Sequence, residues 1–185
     1  MRPIVTLGTP DSAVLRKRSR PVGSVGAAVR SLIADMVVTM RRAQGVGLAA
    51  PQVGVPLRVF VADPGSGPIA LVNPRMRRRW GTQLGPEGCL SVPGVLHNIP
   101  RALGVEVEAF AATGRRIRVR GTGLLARILQ HEIDHLNGIL FFDRLPKRRG
   151  VRSRRGATGS RAAVPARRAP ARRRAPKAAA APRRA

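Results

Sequence analysis

The chain has 185 residues and a formal net charge of +26, and this length suits one compact domain with some excess. Its one cysteine, Cys89, excludes an intrachain disulfide and with it a disulfide-stapled secreted scaffold, so the composition fits a reducing compartment. No apolar run reaches the roughly 18 residues of a membrane-spanning helix, and the first residues lack the apolar core of a signal peptide. We therefore expect a cytoplasmic protein with no membrane partner.

The first predicted element is a helix within residues 23–45, because apolar side chains recur there at helical spacing. These side chains are Val25, Val29, Leu32, Ile33, Met36 and Met40. Ser24 is the expected N-cap of this helix. The following segment, GVGLAAPQVGVP at residues 45–56, predicts turns because its glycines and prolines interrupt any helix.

Four strands are predicted next. LRVFVAD (57–63) and PIALVNP (68–74) are short apolar runs next to proline or glycine residues. GVEVEAF (104–110) and RRIRVRG (115–121) alternate apolar and polar residues around a short turn, which predicts a hairpin with one solvated face. Between the two pairs, the glycine- and proline-rich stretch GPEGCLSVPG (85–94) predicts a loop.

A second long helix is predicted at residues 122–138, TGLLARILQHEIDHLNG, with Thr122 as its cap and Gly138 at its end. The next residues, ILFFDRLP (139–146), predict a short extended segment. The order of helix, strands and helix favours an α+β fold over an alternating parallel sheet. We expect antiparallel strands packed around the C-terminal helix.

The positive charge is concentrated at the C-terminal end of the chain. Residues 147–185 hold 15 Lys and Arg side chains and no acid, whereas residues 1–146 hold 20 basic and 9 acidic groups. The end segment is rich in Arg, Ala and Pro and has no apolar period, so it cannot bury enough surface to offset its conformational entropy. We predict a catalytic domain at residues 1–146 and a disordered basic tail at residues 147–185.

The second helix carries the pattern HEIDH. His131 and His135 are four residues apart, so their imidazoles share one helix face and can bind one metal ion. Glu132 lies beside His131, where it can act as a general base without being a ligand. The same pattern also occurs in helices whose histidines are only buried and hydrogen bonded, so a catalytic site needs a third protein ligand.

Cys89 is the predicted third ligand. No His or Glu follows His135, so the ligand is expected upstream. A cysteine in a glycine- and proline-rich loop is poorly explained by core packing, although a small buried hydrophobe is the alternative interpretation. A Cys-His-His set can hold Zn²⁺ or Fe²⁺, and the spacing does not choose between them.

Three motifs in this order resemble those of the peptide deformylase family: GVGLAAPQ (45–52), EGCLS (87–91) and QHEIDH (130–135). The resemblance spans most of residues 2–146 and implies the deformylase type of α+β fold. It implies a hydrolase that removes the N-formyl group from the N-terminal formyl-methionine of newly made bacterial polypeptides and releases formate. It also implies one Fe²⁺ ion per chain, with Ni²⁺ or Co²⁺ as active substitutes and Zn²⁺ as a poorer one.

The resemblance assigns roles to individual residues. Cys89, His131 and His135 would hold the metal, Glu132 would move protons, and the Gln52 amide with the Leu90 N–H would stabilise the oxyanion. The residues expected to contact the substrate are Gly45, Val46, Gly47, Glu87, Gly88, Leu124 and Ile128. Within that set, Glu87 is expected to orient the site rather than react.

Some positions depart from the common family pattern. Leu96 and His97 stand where many relatives carry an Arg or Tyr that borders the substrate, and Arg101 is either a partial substitute or a structural surface charge. We give His97 no metal role, because a loop histidine usually faces solvent. Arg127 stands at a position that is often apolar, so it is expected to line the pocket entrance or to extend outward.

Two other functions are compatible with part of the pattern. HExxH alone would permit a metallopeptidase that cleaves internal peptide bonds, but EGCLS and the missing downstream ligand speak against it. The other is a nucleic-acid-binding protein whose enzymatic domain has lost its activity. The intact set of Gln52, Cys89, His131, Glu132 and His135 argues against it.

The basic tail would bind polyanions by counterion release, and we hypothesise that it docks the enzyme on ribosomal RNA. A nonspecific solvated extension is the alternative for the tail.

Overall fold

The computed structural model describes residues 1–146, and residues 147–185, which include the predicted basic tail, lie outside the described residues. Two α-helices, seven strands and three short 3-10 helices are present within residues 1–146. The helices are α1 (Ala27–Arg42) and α2 (Gly123–Leu136). The strands are β1 (Gly47–Ala49), β2 (Val59–Ala62), β3 (Ile69–Trp80), β4 (Gln83–Cys89), β5 (Val92–Arg101), β6 (Gly104–Phe110) and β7 (Arg116–Thr122). The 3-10 helices are Pro10–Arg16, Ala50–Val53 and Phe141–Arg144.

The strands form two antiparallel sheets. The larger sheet has the order β1-β2-β3-β6-β7, and β4 pairs with β5 in a separate two-stranded sheet. The predicted hairpin is confirmed, because β6 and β7 pair over their whole length from Gly104↔Thr122 to Phe110↔Arg116. An α+β architecture with antiparallel strands around a C-terminal helix is therefore also confirmed.

Helix α1 covers the face of the large sheet nearest β1 and β2. Leu32, Ile33, Met36 and Met40 are buried in the core, as their spacing predicts, and Val25 and Val29 pack against it. The predicted N-cap is wrong: the helix begins three residues after Ser24, and Gly26 occupies the cap position without a side-chain hydrogen bond.

Helix α2 packs against β7, β1, β2 and β6. Its apolar side chains and those of the strands form a core cluster separate from the one that contains the α1 side chains. Thr122 is the N-cap residue, but its hydroxyl makes no capping hydrogen bond. Gly138 follows the helix with φ of +73°, and a Cβ there would lie 2.4 Å from the carbonyl oxygen of Arg16. Glycine is therefore required at this helix end both by its backbone angle and by the close approach of another segment. None of the described helices is long and apolar enough to cross a membrane.

Three predicted loops or extended segments differ in the structure. Residues 45–56 contain β1 as well as the 3-10 helix at Ala50–Val53, and residues 139–146 contain a 3-10 helix rather than an extended run. The stretch at residues 85–94 contains most of β4, the turn and the first residues of β5. Its prolines are tolerated because this two-stranded sheet has free edges, where a missing backbone N–H costs no ladder hydrogen bond.

Candidate metal centre

Two elements bring the predicted ligands together. Helix α2 places His131 and His135 on successive turns, and Cys89 is the last residue of β4. The sulfur and the imidazole nitrogens of these three residues all lie within 4.8 Å of one another, and Cys89 Sγ is 3.2 Å from His135 Nε2. The arrangement forms a three-ligand group of the kind that binds a transition metal.

Glu87 fixes the orientation of the His131 ring. The Nδ1 atom of His131 lies 3.0 Å from Glu87 Oε2, and an ionised carboxylate can only accept, so Nδ1 carries the proton. That tautomer leaves the Nε2 lone pair of His131 free to bind a cation. A carboxylate behind a ligating histidine is a common support for metal sites, because it sets both the tautomer and the ring angle.

Two arginines hold Glu87 in place. Arg101 donates from Nε to Oε1 at 2.8 Å and from Nη2 to Oε2 at 2.9 Å, and Arg127 Nη1 donates to Oε1 at 2.7 Å. Burial raises the pKa of Glu87, but the hydrogen bonds from Arg101 and His131 outweigh it and hold the pKa at about 2. Glu87 is therefore a buried anion at neutral pH.

The structure corrects the expectation of a surface charge at Arg101 and decides between the two alternatives for Arg127, which lines the pocket at the ligand group. Arg101 is buried rather than a surface charge, and its Nη1 also donates to Asp134 Oδ2 at 2.5 Å. Arg127 does not extend outward. Its Nη1 donates hydrogen bonds to Glu87 and to the carbonyl oxygens of Gly85 and Ile99, the last two at 3.2 and 3.0 Å. Both side chains thus hold in place the Glu87 carboxylate, which in turn orients His131.

The electrostatics of the centre fit a cation. Burial lowers the pKa of His135 well below its ordinary value, which keeps this imidazole neutral with a lone pair to donate. Burial also lowers the pKa of His131, but the Cys89 sulfur and Glu87 raise it more, to about 10. The groups that hold a proton on His131 would equally stabilise a metal ion. His135 Nδ1 is buried without a hydrogen-bond partner in the described structure.

Glu132 lines the same pocket as Cys89 and His131 but is not one of the three ligands. Its side chain is buried, and its Oε2 atom has no hydrogen-bond partner among the described residues. Burial raises its pKa to about 7, even though the neighbouring His131 opposes the rise. A carboxyl group with a pKa near 7 can both take up and release a proton at neutral pH.

Gln52 faces the centre from the 3-10 helix after β1. Its Oε1 atom accepts a hydrogen bond from the Ala49 N–H at 2.8 Å, which turns the amide nitrogen towards the centre. That nitrogen donates to Ser91 Oγ at 3.2 Å and lies 3.5 Å from Cys89 Sγ. An N–H donor is therefore fixed beside the ligand group.

A cavity of about 570 Å³ opens onto the centre. All residues predicted to contact the substrate line it: Gly45, Val46, Gly47, Glu87, Gly88, Leu124 and Ile128. Val46 and Leu124 are about half exposed, so they form the rim, whereas Ile128 is buried in the wall. Leu96 also lines the cavity and is 70% exposed, which makes it a further apolar rim residue. His97 is exposed on β5 opposite Glu87 and is not one of the three grouped ligands.

Sequence reasoning assigned no role to Ser91 and Asp134 and did not predict the supporting role of Arg101. A usable indication existed on α2, where Arg127, His131 and Asp134 follow one another at helical spacing and share a face. Charged residues on the inward stripe of a buried helix need partners, and those partners are Glu87 and Arg101. Ser91 gave no such indication in the sequence.

The chain is similar to known proteins over nearly all of its described residues. The family model described as Polypeptide deformylase matches residues 1–150. The peptide deformylase of Alkaliphilus metalliredigens is 48% identical over 139 residues, covering 75% of this chain and 95% of the relative. That of Thermomicrobium roseum is 46% identical over 162 residues, covering 82% and 90%.

Solved structures show the same similarity. The crystal structure of a peptide deformylase from Legionella pneumophila superposes with a TM-score of 0.74 at 46% identity, covering 79% of this chain and 86% of that one. The peptide deformylase of Thermotoga maritima superposes with a TM-score of 0.75 at 40% identity, covering 80% and 99%.

Proposed function

The chain belongs to the polypeptide deformylase family, and from this premise we propose that Cys89, His131 and His135 bind one Fe²⁺ ion beside the general base Glu132. Enzymes of this family are metal-dependent hydrolases, and this chain removes the N-formyl group from the N-terminal methionine of newly made polypeptides. The observation that supports the assignment of roles is a buried carboxylate oxygen of Glu132 that is unpartnered among the described residues, in a side chain that lines the same cavity as Cys89 and His131.

The donor set supports a transition metal with some preference for soft ligands. One thiolate and two imidazoles suit Fe²⁺, and they also suit Zn²⁺, Ni²⁺ and Co²⁺, which are the expected substitutes. When bound, the ion supplies Lewis acidity, which polarises the formyl carbonyl and makes water more acidic. The choice of Fe²⁺ rests on the family resemblance of the three motifs.

Glu132 is the proposed proton carrier of the reaction. Its carboxylate accepts a proton from the attacking water and later delivers that proton to the departing amine of methionine. Both transfers are favourable near neutral pH, because burial holds the pKa of this side chain at about 7. Gly47 leaves the space that the carboxylate occupies, since a Cβ there would lie 2.3 Å from Glu132 Oε1.

Gln52 and Leu90 are the proposed donors to the oxyanion. Hydroxide attack on the formyl carbon places negative charge on its oxygen, and the Gln52 amide nitrogen is already oriented towards the centre by Ala49. The Leu90 N–H follows directly after Cys89 at the tip of the β4–β5 hairpin. Loss of one such donor typically raises the barrier by about 3 kcal/mol.

The substrate is proposed to lie in the 570 Å³ cavity with its methionine side chain against Ile128. Strand β1 is the last strand of the large sheet, so one of its edges has no partner among the described strands. Gly45 and Gly47 let an extended peptide approach this edge closely and pair with it as an added strand. Val46 and Leu124 would close over the methionine from the rim.

We further propose that the basic tail docks the enzyme on ribosomal RNA and that the enzyme works in the cytoplasm. Fifteen basic groups without an acid in residues 147–185 would bind a polyanion with strong salt dependence. Substrates of this enzyme are chains that have just been made, which places RNA nearby. The lone thiol ligand needs a reducing compartment.

The tail hypothesis is tested by cosedimentation with ribosomes at physiological salt. The full chain is compared with a chain that ends at Pro146 and with a full-length variant whose tail Lys and Arg are replaced by Ser. Weaker binding by both variants supports docking through charge. Unchanged binding by both would leave the tail as a nonspecific extension.

The enzymatic assignment is tested by formate release from a formyl-Met-Ala-Ser peptide, using anaerobically prepared protein loaded with Fe²⁺ or Ni²⁺. We expect release by the wild type and a loss of about 10²- to 10⁴-fold for Glu132→Ala with metal still bound. The unformylated peptide with a long C-terminal extension is the control, because internal cleavage of it would indicate a metallopeptidase. Full activity of Glu132→Ala would remove this residue from the mechanism.

A further inference from the structure

A second and larger groove lies away from the metal centre. It has a volume of about 1010 Å³ and runs between the segment at residues 18–21 and strands β3, β6 and β7. Six arginines and one acid line it: Arg18, Arg20, Arg58, Arg75, Arg77, Arg116 and Glu108. None of these residues contributes to the cavity that opens on the metal ligands.

The one acid in the groove is already neutralised. Glu108 accepts from Arg77 at 2.7 Å and from Arg116 at 3.1 Å, and Arg118 beside the groove adds a third contact at 2.6 Å. The four remaining arginines, at positions 18, 20, 58 and 75, form no ion pair with an acid of residues 1–146. The groove therefore carries a net excess of positive charge.

Arg58 shows how closely these charges are packed. Its guanidinium is half buried and donates only to neutral oxygens: Leu136 O at 3.2 Å, Asn137 Oδ1 at 3.0 Å and Pro74 O at 3.4 Å. Burial, together with the charges of Arg18 and Arg75, lowers its pKa. Like charges held this close repel each other, and a bound anion would relieve that repulsion.

Two further residues, Ser19 and Phe110, line the groove. Ser19 is buried at 3% exposure, and its hydroxyl has no hydrogen-bond partner among the described residues. Phe110 also lines the groove, and it is 40% exposed although it is a large apolar residue at the end of β6. The groove thus offers an aromatic face among its arginines, whereas the Ser19 hydroxyl is buried beneath the groove surface.

We propose that this groove binds single-stranded RNA. Arg18, Arg58 and Arg75 would contact successive phosphates of the backbone, and Phe110 would stack on an unpaired base. Arginines interleaved with an exposed aromatic ring are the usual platform for single strands, because phosphate contacts and base stacking both require the strand to be open. The groove is far larger than one phosphate needs. This inference depends neither on the metal centre nor on the tail.

The first experiment reverses charge inside the groove in the full-length chain. Arg18→Glu/Arg75→Glu is compared with Arg30→Glu/Arg42→Glu, which makes the same change in charge on α1 at positions that do not line the groove. Binding of a fluorescein-labelled 12-nucleotide single-stranded RNA is followed by anisotropy over a range of KCl concentrations. Because the tail is present in every protein, its contribution is common to all of them.

We expect the groove variant to bind at least tenfold more weakly than the α1 variant. We also expect its slope of log K against log salt to be shallower by about 1.4, since each lost phosphate contact on a single strand removes about 0.7. Equal affinities and slopes for the two variants would overturn the proposal and leave RNA binding to the tail. Arg18→Gln/Arg75→Gln repeats the comparison with a milder change if reversal perturbs folding.

The second experiment tests the base-stacking role of the aromatic ring. Phe110→Ala is expected to weaken binding of the single strand about tenfold, because stacking of one base on an aromatic ring contributes roughly that much. The same variant should bind inorganic polyphosphate, a polyanion without bases, as tightly as the wild type does. Unchanged RNA affinity would overturn the assignment to a single strand.

Formate release by the groove variant and by Phe110→Ala should equal the wild-type rate, which separates this proposal from the deformylase assignment.

Discussion

Gly47 and Glu132 are in such close contact that a Cβ atom at position 47 would lie 2.3 Å from Oε1 of the carboxylate and 2.9 Å from its Cδ. The glycine belongs to β1 and the carboxylate to α2, so two elements that are far apart in sequence share the wall of one cavity. A residue with no side chain is thus required for a reason of space: it makes room for the proposed proton carrier.

Gly47→Ala is expected to lower kcat about 100-fold while the metal stays bound. The added methyl group would push the Glu132 carboxylate aside, and a displacement of about 1 Å at a reacting group can cost that much. The measurement is kcat and KM for a formylated peptide, with metal content determined on the same samples. Gly23→Ala is the matched control, because nothing lies within 4 Å of a Cβ at that position. A wild-type kcat for Gly47→Ala would show that the carboxylate can move without consequence.

Glu87→Gln is expected to destabilise the protein by about 3–5 kcal/mol. The substitution leaves the buried guanidinium of Arg127 without a carboxylate partner, and an uncompensated buried charge typically has that cost. It should also weaken metal binding about 10- to 100-fold, because His131 loses the group that orients its ring. Urea unfolding and a metal titration measure the two effects. Glu106→Gln, which removes one partner of a surface pair at 3.6 Å, should cost less than about 1 kcal/mol.

The stability difference between the wild type and Glu87→Gln is expected to shrink at low pH. The pKa of Glu87 is about 2 in the fold and 4.5 in the unfolded chain, so its ionised form contributes stability fully above pH 4.5. That contribution is lost as the pH falls from 4.5 towards 2. Urea unfolding of both metal-free proteins at pH 6, 4 and 3 measures the gap, and all other carboxylates cancel in the comparison. A gap that stays constant over this range would mean that the charge of Glu87 does not stabilise the fold.

Periodicity in the sequence predicted those parts of the fold that depend on local patterns. Both helices and the β6–β7 hairpin have regular apolar spacing over seven or more residues, and all three are present in the structure. The β4–β5 hairpin was missed because Gly85, Pro86 and Pro93 have low strand propensity, and only a two-stranded sheet with free edges accepts them. This hairpin depends on pairing between its two strands, which cannot be read from the spacing of apolar residues.

The metal ligands were predictable from the sequence, whereas their support was not. His131 and His135 stand at a fixed helical spacing, and Cys89 is the one thiol in the chain, so chemistry alone made them candidates. The sequence left two positions open for Arg127, at the pocket entrance or extended outward, because its partner, Glu87, is 40 residues away along the chain. Ion pairs between distant segments produce no periodic pattern in the sequence, so such supporting contacts can only be identified once the fold is known.

Cys89→Ser is expected to abolish stoichiometric metal binding, since a hydroxyl is a much poorer ligand than a thiolate for the metals that this donor set suits. In the wild type, Ni²⁺ or Co²⁺ at 100 times its Kd should stabilise the fold by about 2.7 kcal/mol, because the three ligands converge only when the chain is folded. The measurements are metal content, the Tm with and without added ion, and the thiolate absorption of the Co²⁺ form. His97→Ala is the matched control, since it removes the one histidine outside the ligand group and should retain all three properties. Retention of the ion and of its stabilising effect by Cys89→Ser would show that the two histidines bind metal without the sulfur.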